Sequence, residues 1–395
     1  MQNAHLIEVG IDTLSFYTPA FTLDLGVLAR ARNIDPEKYF TGLGQRMMAV
    51  PPPDEDIVTM AANAAERAVR DTDLNQIELL FFATESGIDH SKAAGIYVHD
   101  LLGLSSRCRV IELKQACYSG TMALQLALPY LRQHPNKKAL LIASDIARYG
   151  LGTPGESSQG CAAIAMLLSA APRLLALDSE YGIATENVMD FWRPNYRDEA
   201  LVEGKYSSKL YINMLEKTWR QYQALSARGF QDHDYYCYHV PVPRLVEKAH
   251  HHFVKLNNYD HLSLDETMKY IQPSLEYGRK IGNSYTASLY IGLASLLDFT
   301  EEDLAGKRIG FYSYGSGCVA EYFSGVVQAG YRSVLDTAYH QQQFHQRNSL
   351  SYDEYVSFYS HAYPEDGSDY VTPRHTTGLF RLAKLENHKR IYKRI

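Results

Sequence analysis

Short segments made almost entirely of apolar residues alternate with longer segments of helical periodicity along this chain. Residues 78–84, 139–143 and 162–169 lack the polar alternation of a strand with one solvent-exposed face. Strands of this kind occur in sheets that helices cover on both faces, so the pattern predicts an α/β fold. Further strands are predicted at residues 6–16 and 109–113, and helices at residues 22–32, 54–70, 91–102 and 117–134, with Asp54 as a candidate N-cap.

The second half of the chain repeats this order less regularly. Because 395 residues are too many for one simple core, we predict two related halves, residues 1–172 and 173–395. Residues 162–169 and 318–326 are then matching return strands of the two halves. Residues 340–395 are rich in His, Gln, Tyr and charge, and they are predicted to form a peripheral appendage. The other elements predicted here are helices at residues 206–228, 242–257 and 284–297, and strands at residues 235–238 and 308–314.

Composition excludes several classes of protein. A net charge of -6 gives the chain no general affinity for nucleic acid. The sequence has no run of about 18 apolar residues and no signal-peptide pattern at its start, so no membrane span or export is predicted. Five cysteines without a CxxC pair favour reduced thiols in the cytoplasm over a disulfide framework or a zinc site. The consecutive histidines 250–252 do not predict a metal site, because neighbouring helical residues face different directions.

One cysteine, Cys117, lies where a predicted strand turns into a predicted helix. Partial positive charge at a helix N-terminus favours thiolate over thiol, so this position predicts a lowered thiol pKa and a better nucleophile. The small neighbours Ala116, Ser119 and Gly120 leave room for a substrate. The alternative interpretation is a buried cysteine that serves only as a small apolar side chain.

Two other polar side chains directly follow apolar strands. Glu85 follows the predicted strand at 78–84, and His239 follows the one at 235–238. Ligands bind at the carboxyl ends of strands in α/β sheets, and partial burial there would raise a glutamate pKa into the range useful for proton transfer. The alternatives are a surface acid for Glu85 and a structural, hydrogen-bonded histidine for His239.

Two loops are predicted at the same edge of the sheet. Asn283 precedes the predicted helix at 284–297, and Ser316 lies in a Gly-Ser-Gly triplet that follows the strand at 308–314. Glycines let backbone N–H groups approach a ligand, as an oxyanion hole requires, although most such triplets are simple turns. A thiol, a carboxylate and an imidazole at one edge suit acyl transfer to cysteine followed by carbon–carbon bond formation.

The chain resembles the 3-hydroxy-3-methylglutaryl-CoA (HMG-CoA) synthases of the bacterial type, which belong to the thiolase-like condensing enzymes. The resemblance implies the five-layered αβαβα thiolase fold, with two related halves, and a homodimer. A glutamate in the segment 83–86 favours this family over thiolases and β-ketoacyl-carrier-protein synthases. The resembling segments follow one another in order and are residues 10–12, 16–17, 42–45, 48–50, 56–60, 83–86, 116–118, 145–150, 190–194, 239–241, 282–283 and 313–317.

The resemblance also implies roles for individual residues. Cys117 matches the acetylated nucleophile, Glu85 the general acid/base, and His239 the histidine that anchors the ketone of acetoacetyl-CoA. Acidic positions that tune the site are matched by Asp89, Asp145 and Asp190. Substrate-binding positions are matched by Asn283, Ser316, Tyr149, Gly150, Arg244 and Lys248. The last two would lie near the CoA phosphates, and the alternative for them is an ordinary solvated helix surface.

The implied reaction joins acetyl-CoA, acetoacetyl-CoA and water to give HMG-CoA and CoA, as a step of the mevalonate pathway. It would run by ping-pong kinetics through acetyl-Cys117. The resemblance implies no metal or redox cofactor, because CoA thioesters are the only substrates besides water. It also implies no nucleic-acid or membrane partner.

Two alternatives stay open. A β-branching enzyme of a polyketide pathway shares the cysteine, glutamate and histidine but takes its substrates from acyl carrier proteins. A catalytically inactive condensing fold that serves as a scaffold would not need Cys117, Glu85 and His239 together. Acetyl transfer from labelled acetyl-CoA to the protein distinguishes the scaffold from both enzymes.

Overall fold

The computed structural model describes residues 7–395, and its main feature is a nine-stranded mixed sheet. Residues 1–6, which include the first residue of the predicted strand 6–16, lie outside the described residues. The strands are β1 (Val9–Tyr17), β2 (Phe21–Asp24), β3 (Met47–Val50), β4 (Ile77–Ala83), β5 (Arg109–Leu113), β6 (Lys138–Ile146), β7 (Cys161–Ala170), β8 (Leu175–Thr185), β9 (Phe191–Trp192), β10 (Leu201–Val202), β11 (Tyr235–Tyr238), β12 (Arg308–Gly315), β13 (Val319–Val327), β14 (Asn348–Ser349), β15 (Tyr370–Val371), β16 (Phe380–Glu386) and β17 (Lys389–Arg394).

The large sheet consists of two halves with matching strand order. Its full order is β5-β4-β6-β7-β1-β8-β13-β12-β11, and β1 meets β8 through two residue pairs, Gly10–Ala176 and Ile11–Leu175. Outward from this junction, β1-β7-β6-β4 and β8-β13-β12-β11 each show two antiparallel pairings followed by a parallel one. The return strands β7 and β13 are therefore equivalent, as predicted. Within the described residues, only β5 has no equivalent in the second half.

The helices are α1 (Leu25–Ala31), α2 (Glu37–Phe40), α3 (Ile57–Ala68), α4 (Ala94–Leu101), α5 (Ser119–Gln133), α6 (Gly204–Ser226), α7 (Pro243–Leu256), α8 (Leu264–Met268), α9 (Gln272–Leu275), α10 (Gly278–Ile281), α11 (Ser288–Phe299), α12 (Thr337–His345) and α13 (Tyr352–Tyr359).

Successive strand residues point to opposite faces of a sheet, so their contacts identify the helix that covers each face. On β6, Ser144 bonds to the carbonyl of Ile57 at the start of α3, whereas Ala143 faces Gly120 of α5.

The second half is covered in the same way. On β13, the Glu321 side chain accepts a hydrogen bond from Tyr118 at the start of α5, whereas the ring of Tyr322 packs on Trp219 of α6. Helix α5 therefore lies between the two halves of the sheet, with α3 and α6 outside them. This arrangement is the five-layered αβαβα fold that the resemblance implies.

Two predicted helix starts are wrong. Residues 21–24 belong to β2, which pairs with β3, so the helix predicted at 22–32 begins only at Leu25. Helix α3 is capped by Asp56, whose side chain accepts N–H bonds from Val58 and Thr59, and not by Asp54. The carboxylate of Asp54 instead faces Arg381, at 3.2 Å from its Nε.

Two other helices begin later than the sequence predicts. Helix α5 begins at Ser119 and has Tyr118 as its N-cap residue, so Cys117 precedes the helix. The helix predicted at 284–297 starts with a 3-10 turn at Tyr285–Ala287 before α11 begins. Cys117 therefore lies in the turn before α5, and Asn283 lies just before the 3-10 turn that precedes α11.

The C-terminal residues 340–395 pack closely on the first half. His340 is 1% exposed, and its ring stacks on Phe16 of β1 with 4.4 Å between the ring centroids. The β16–β17 hairpin reaches the start of α3, where Arg390 and Tyr392 both bond to Asp56. The division of the chain at residues 172 and 173 falls between β7 and β8 and stays a prediction. Within residues 7–395, no helix has both the length and the apolar character needed to cross a membrane.

Candidate active site

Cys117 and Glu85 are in direct contact. The Cys117 thiol donates a hydrogen bond to Glu85 Oε1, with 3.0 Å between Sγ and the oxygen. Glu85 follows β4, while Cys117 follows the neighbouring parallel strand β5, so both lie at the carboxyl edge of the sheet. Burial and the nearby charge of Asp145 raise the pKa of Glu85 to about 8. A carboxyl group with such a pKa can take up and return a proton near neutral pH.

The predicted lowering of the Cys117 pKa is wrong. Burial and the Glu85 carboxylate raise the pKa of the Cys117 thiol well above its usual value. The helix end is too weak to oppose them, because Cys117 precedes the N-cap of α5. The thiol is therefore the hydrogen-bond donor of the pair, and Glu85 is the group placed to accept its proton.

A strained turn presents the thiol. Ala116 has φ of 43°, a left-handed conformation that residues with a Cβ rarely adopt. The turn packs against Gly315 at the end of β12, where an added Cβ would lie 2.6 Å from both the nitrogen and the Cβ of Tyr118. Gly315 is thus needed for close approach of the two backbones.

Asp145 holds the loop of Glu85 in place through hydrogen bonds. Its buried carboxylate accepts hydrogen bonds from the Thr84 hydroxyl at 2.8 Å, the Glu85 amide at 2.9 Å and the Ser86 hydroxyl at 2.7 Å. It also accepts bonds from the amide and hydroxyl of Thr286, in the turn before α11. Asp145, predicted as a site-tuning acid, therefore joins the Glu85 loop to the second half, and its charge disfavours ionisation of Glu85.

Asp190 holds the Gly-Ser-Gly loop at residues 315–317 through hydrogen bonds in a similar way. It is fully buried and accepts bonds from the Gly317 amide at 2.8 Å, the Tyr314 hydroxyl at 2.7 Å and the Ser207 hydroxyl at 3.0 Å. On the other side, the carbonyl of Ser316 accepts a bond from Gln115 Nε2 at 3.1 Å. The Ser316 loop is thereby fixed beside the Cys117 turn.

His239 is held as a neutral imidazole. Its Nδ1 lies 2.6 Å from the Ser288 hydroxyl at the start of α11, and its amide bonds to the Tyr312 carbonyl. Burial lowers the pKa of His239 to about 3. Since Nδ1 is occupied by Ser288, Nε2 is the ring nitrogen left for a ligand.

Asn283 and Tyr149 form the aromatic side of the site. Asn283 Nδ2 donates to the Tyr149 hydroxyl at 3.3 Å, and Asn283 Oδ1 accepts from the Tyr285 amide at 2.9 Å. The rings of Tyr149, Phe191 and Tyr285 meet edge to face, with centroids 5.7 to 6.1 Å apart. Cys117 packs against the same cluster.

The remaining predicted residues are less closely connected to the thiol. Gly150 has φ of 88° and forms the turn after Tyr149. Asp89 is exposed and accepts the amides of Ser91 and Lys92. Arg244 donates to the Thr41 carbonyl and pairs with Glu247, while Lys248 is exposed on α7. The roles of these four residues stay predictions.

Sequence reasoning missed several side chains that hold the site. Arg193 donates to the backbone carbonyl of Glu85, and its charge counteracts part of the rise in the Glu85 pKa. The available signal was its place in the resembling segment 190–194. Ser288 and Thr286 had no local signal, because each acts through a contact with a residue more than 45 positions away.

The C-terminal segment contributes to the wall of a cavity beside the site. This cavity of about 1100 Å³ borders Glu85, Ala116 and Ser316 on one side and Tyr355 and Phe358 of α13 on the other. The segment was predicted to be peripheral, but α13 is part of the surroundings of Glu85.

Helix α13 also reaches Tyr149 through hydrogen bonds. Gln159 Nε2 donates to the Tyr355 hydroxyl at 2.9 Å, while Gln159 Oε1 accepts the Tyr149 amide at 2.8 Å. The carbonyl of Gln159 also lies against Gly282, where an added Cβ would be 2.0 Å from it. The segment around Gln159 therefore connects the tail to both Tyr149 and the Asn283 loop.

Comparison with known proteins identifies the family. The family model "Hydroxymethylglutaryl-coenzyme A synthase N terminal" matches residues 6–172, and the corresponding C-terminal model matches residues 254–380. The chain belongs to the HMG-CoA synthase family.

Individual members of the HMG-CoA synthase family agree with this result. Hydroxymethylglutaryl-CoA synthase of Enterococcus faecalis is 40% identical over 360 residues, which cover 91% of this chain and 94% of that protein. A crystal structure of HMG-CoA synthase complexed with CoA superposes with a TM-score of 0.94 at 39% identity, covering 98% of this chain and all of that one. The polyketide-pathway 3-hydroxy-3-methylglutaryl-ACP synthase PksG of Bacillus subtilis is 34% identical, covering 89% of this chain and 87% of that protein.

Proposed function

We propose that the chain condenses acetyl-CoA with acetoacetyl-CoA and water to give HMG-CoA and CoA. The observation that carries this proposal is the 3.0 Å contact between Cys117 Sγ and Glu85 Oε1. A thiol paired with a carboxyl of raised pKa suits covalent acyl transfer followed by proton abstraction. Membership of the HMG-CoA synthase family supports CoA thioesters as the substrates.

In the first step, the Cys117 sulfur attacks the thioester carbonyl of acetyl-CoA. The new bond joins Sγ to the acetyl carbon, the bond to the CoA sulfur breaks, and CoA leaves as its thiol. Glu85 accepts the Cys117 proton and passes it to the leaving sulfur, because it already holds the thiol in a hydrogen bond. The loop of Ser316 is the candidate for stabilising the developing oxyanion.

In the second step, Glu85 removes a proton from the methyl group of acetyl-Cys117. The resulting carbanion attacks the ketone of acetoacetyl-CoA, which His239 holds through Nε2. A neutral imidazole can donate this hydrogen bond, and the lowered pKa of His239 keeps the ring neutral. Glu85 returns its proton to the new alkoxide, and hydrolysis then frees HMG-CoA and the Cys117 thiol.

The proposal needs no redox cofactor, because acyl transfer, addition to the ketone and hydrolysis together transfer no electrons into or out of the substrates. It routes no step through a metal, because Cys117, Glu85 and His239 take the roles of nucleophile, acid/base and ketone ligand. The reduced cysteines support a cytoplasmic location, since such thiols persist in a reducing compartment. A place in the mevalonate pathway follows from the proposed product.

We also propose a homodimer that forms through the free edge of the sheet. Strand β5 is an edge strand, with Ile111 50% exposed on it and Leu126 of the adjoining α5 44% exposed. An unpaired strand beside exposed apolar side chains can pair with another chain. Ile111→Lys is expected to shift the protein from dimer to monomer in sedimentation velocity, while Ile7→Lys, at another exposed isoleucine, is the control. A monomeric parent protein, or an unchanged dimer in Ile111→Lys, would overturn this part.

The function is tested by measuring CoA release with acetyl-CoA plus acetoacetyl-CoA, together with mass spectrometry of the Cys117 peptide. Acetylation and formation of HMG-CoA that depends on acetoacetyl-CoA are expected. Acetylation without condensation on the CoA substrate would instead indicate an acceptor on a carrier protein, as the name of the Bacillus subtilis relative describes. Absence of both reactions would indicate an inactive scaffold.

A further inference from the structure

A buried carboxyl group of the second half contacts the residue that follows the nucleophile. Glu321, on β13, is 1% exposed. Its Oε2 accepts a hydrogen bond from the Tyr118 hydroxyl at 2.6 Å, and its Oε1 accepts one from Gln125 Nε2, also at 2.6 Å. Tyr118 and Gln125 belong to the N-cap and the second turn of α5, so Glu321 ties the start of this helix to the opposite half of the sheet.

The same region holds the strained turn. A left-handed residue with a Cβ is strained and persists only where its surroundings over-determine it. On one side of Ala116, Gln115 is bonded to the Ser316 carbonyl. On the other side, Tyr118 packs against Gly315 and is bonded to Glu321. These three contacts with the turn therefore all come from the β12–β13 hairpin.

We propose that Glu321 is a positioning residue for the nucleophile. Through the Tyr118 hydroxyl it maintains the Ala116 turn, which directs Cys117 Sγ toward Glu85 Oε1. Glu321 does not touch the thiol and acts through Tyr118. The inference rests on the proposed function, because it assumes that Cys117 is the acetylated residue.

A second tyrosine–glutamate pair on the same helix provides a matched control. Tyr130, in the last turns of α5, donates to Glu78 Oε2 at 2.6 Å, the same distance as in the Tyr118–Glu321 pair. Glu78 is on β4 and is remote in sequence from the nucleophile turn. If such pairs serve only to attach α5 to the sheet, loss of either pair will lower stability without changing the reactivity of Cys117.

The test compares Glu321→Leu with Glu78→Leu in the full-length protein. Four quantities are measured: the single-turnover rate of Cys117 acetylation, the KM for acetyl-CoA, the rate of Cys117 alkylation by iodoacetamide, and the free energy of unfolding. Glu321→Leu is expected to slow acetylation at least about tenfold, because small misplacements of a reacting atom have effects of that size or larger. The KM for acetyl-CoA stays unchanged, and Glu321→Gln, which keeps an acceptor for Tyr118, restores most of the rate. Glu78→Leu acetylates at the parent rate.

Tyr118→Phe removes only the hydroxyl and is the second variant, for use if Glu321→Leu does not fold. It is expected to slow acetylation in the same direction, while Tyr130→Phe does not. A folded Glu321→Leu or Tyr118→Phe that acetylates at the parent rate would overturn the positioning role. A parent protein that is never acetylated at Cys117 would instead overturn the proposed function, so the two failures are distinguishable.

Discussion

Glu85 and His239 occupy equivalent places in the two halves of the molecule. Each is the first or second residue after a strand, β4 in the first half and β11 in the second, and these strands correspond in the matching orders outward from the β1–β8 junction. Burial acts on both groups by disfavouring charge. It raises the pKa of Glu85 to about 8 and lowers the pKa of His239 to about 3.

The same physical effect thus gives the two positions different chemistry. A carboxyl with a pKa near 8 exchanges protons at neutral pH, whereas an imidazole with a pKa near 3 stays neutral and can only donate or accept a hydrogen bond. The nucleophile also belongs to the first half, because the strand that leads to it, β5, has no equivalent among the described strands of the second. We infer that covalent and proton-transfer chemistry is supplied by the first half and recognition of the second substrate mainly by the other.

The largest expected effect comes from removing the nucleophile. Cys117→Ala is expected to abolish acetylation and to lower condensation by at least about 10⁴-fold, as loss of a nucleophile does in other covalent enzymes. Intact-protein mass spectrometry after incubation with acetyl-CoA checks the first part. Cys108→Ala, at another partly exposed thiol, is the control. Acetylation that persists in Cys117→Ala would place the nucleophile elsewhere.

Glu85→Gln should separate the two steps. Condensation is expected to fall about 10²–10⁴-fold, the usual contribution of a positioned acid or base. Acetyl-Cys117 still forms, although more slowly, because the Cys117 proton loses its acceptor. In the parent protein, the condensation rate should rise about tenfold per pH unit up to a pH near 8 and then level off, because the base must be ionised. His239 adds no inflection between pH 5 and 9, since its pKa is about 3. A Glu85→Gln protein that condenses normally would show that the assigned base is wrong.

Substitution of His239 should affect the second substrate alone. His239→Ala is expected to raise the KM for acetoacetyl-CoA about tenfold, which is the scale of one hydrogen bond lost in a buried site. The rate of acetylation by acetyl-CoA should be unchanged. Steady-state kinetics with each substrate varied in turn provide the measurement. A similar loss in the rate of Cys117 acetylation by His239→Ala would contradict the assignment of acetylation to the first half and of second-substrate recognition to the second half.

The smallest effect is expected at the C-terminal helix. Tyr355→Phe removes the hydroxyl that receives Gln159 Nε2 and should raise the KM for acetoacetyl-CoA about threefold, as loss of one neutral hydrogen bond predicts. Tyr339→Phe, on α12 of the same segment, is the control, because the Tyr339 ring lies over Arg67 and away from Gln159. Equal kinetics in the two variants would restrict α13 to a structural role.

The parts of the molecule that the sequence predicts well are those with strong local signals. The predicted bounds of β5 and β11 agree with the structure, because each is a compact segment rich in β-formers ending at a polar residue. The helix predicted over residues 22–24 is wrong because the pairing of these residues with β3 is a tertiary contact. Asp54 and Asp56 are equally good caps by sequence, and Asp54 is distinguished only by distant partners, which are Arg381 and the amides of His375 and Thr376.

The candidate active site is likewise predictable only where the signal is local in sequence. Glu85, Cys117 and His239 each follow a strand and are detectable by that position. The raised pKa of Cys117 depends on Glu85, which is 32 residues away, so helix position alone predicted the wrong direction. Glu321 and Gln159 have no motif, since they contact Tyr118 and Tyr355, which are far away in sequence.

The division of the reaction between the two halves of the protein is tested most directly by hydrogen exchange in the methyl group of acetyl-Cys117. The protein is acetylated with trideuterioacetyl-CoA, and the mass of the acetyl-Cys117 peptide is followed over time in ordinary water. Loss of deuterium is expected in the parent protein and in His239→Ala, because Glu85 alone removes the methyl proton, whereas Glu85→Gln should retain all three deuterons. Exchange at the parent rate in Glu85→Gln, or its absence in the parent protein, would contradict the account.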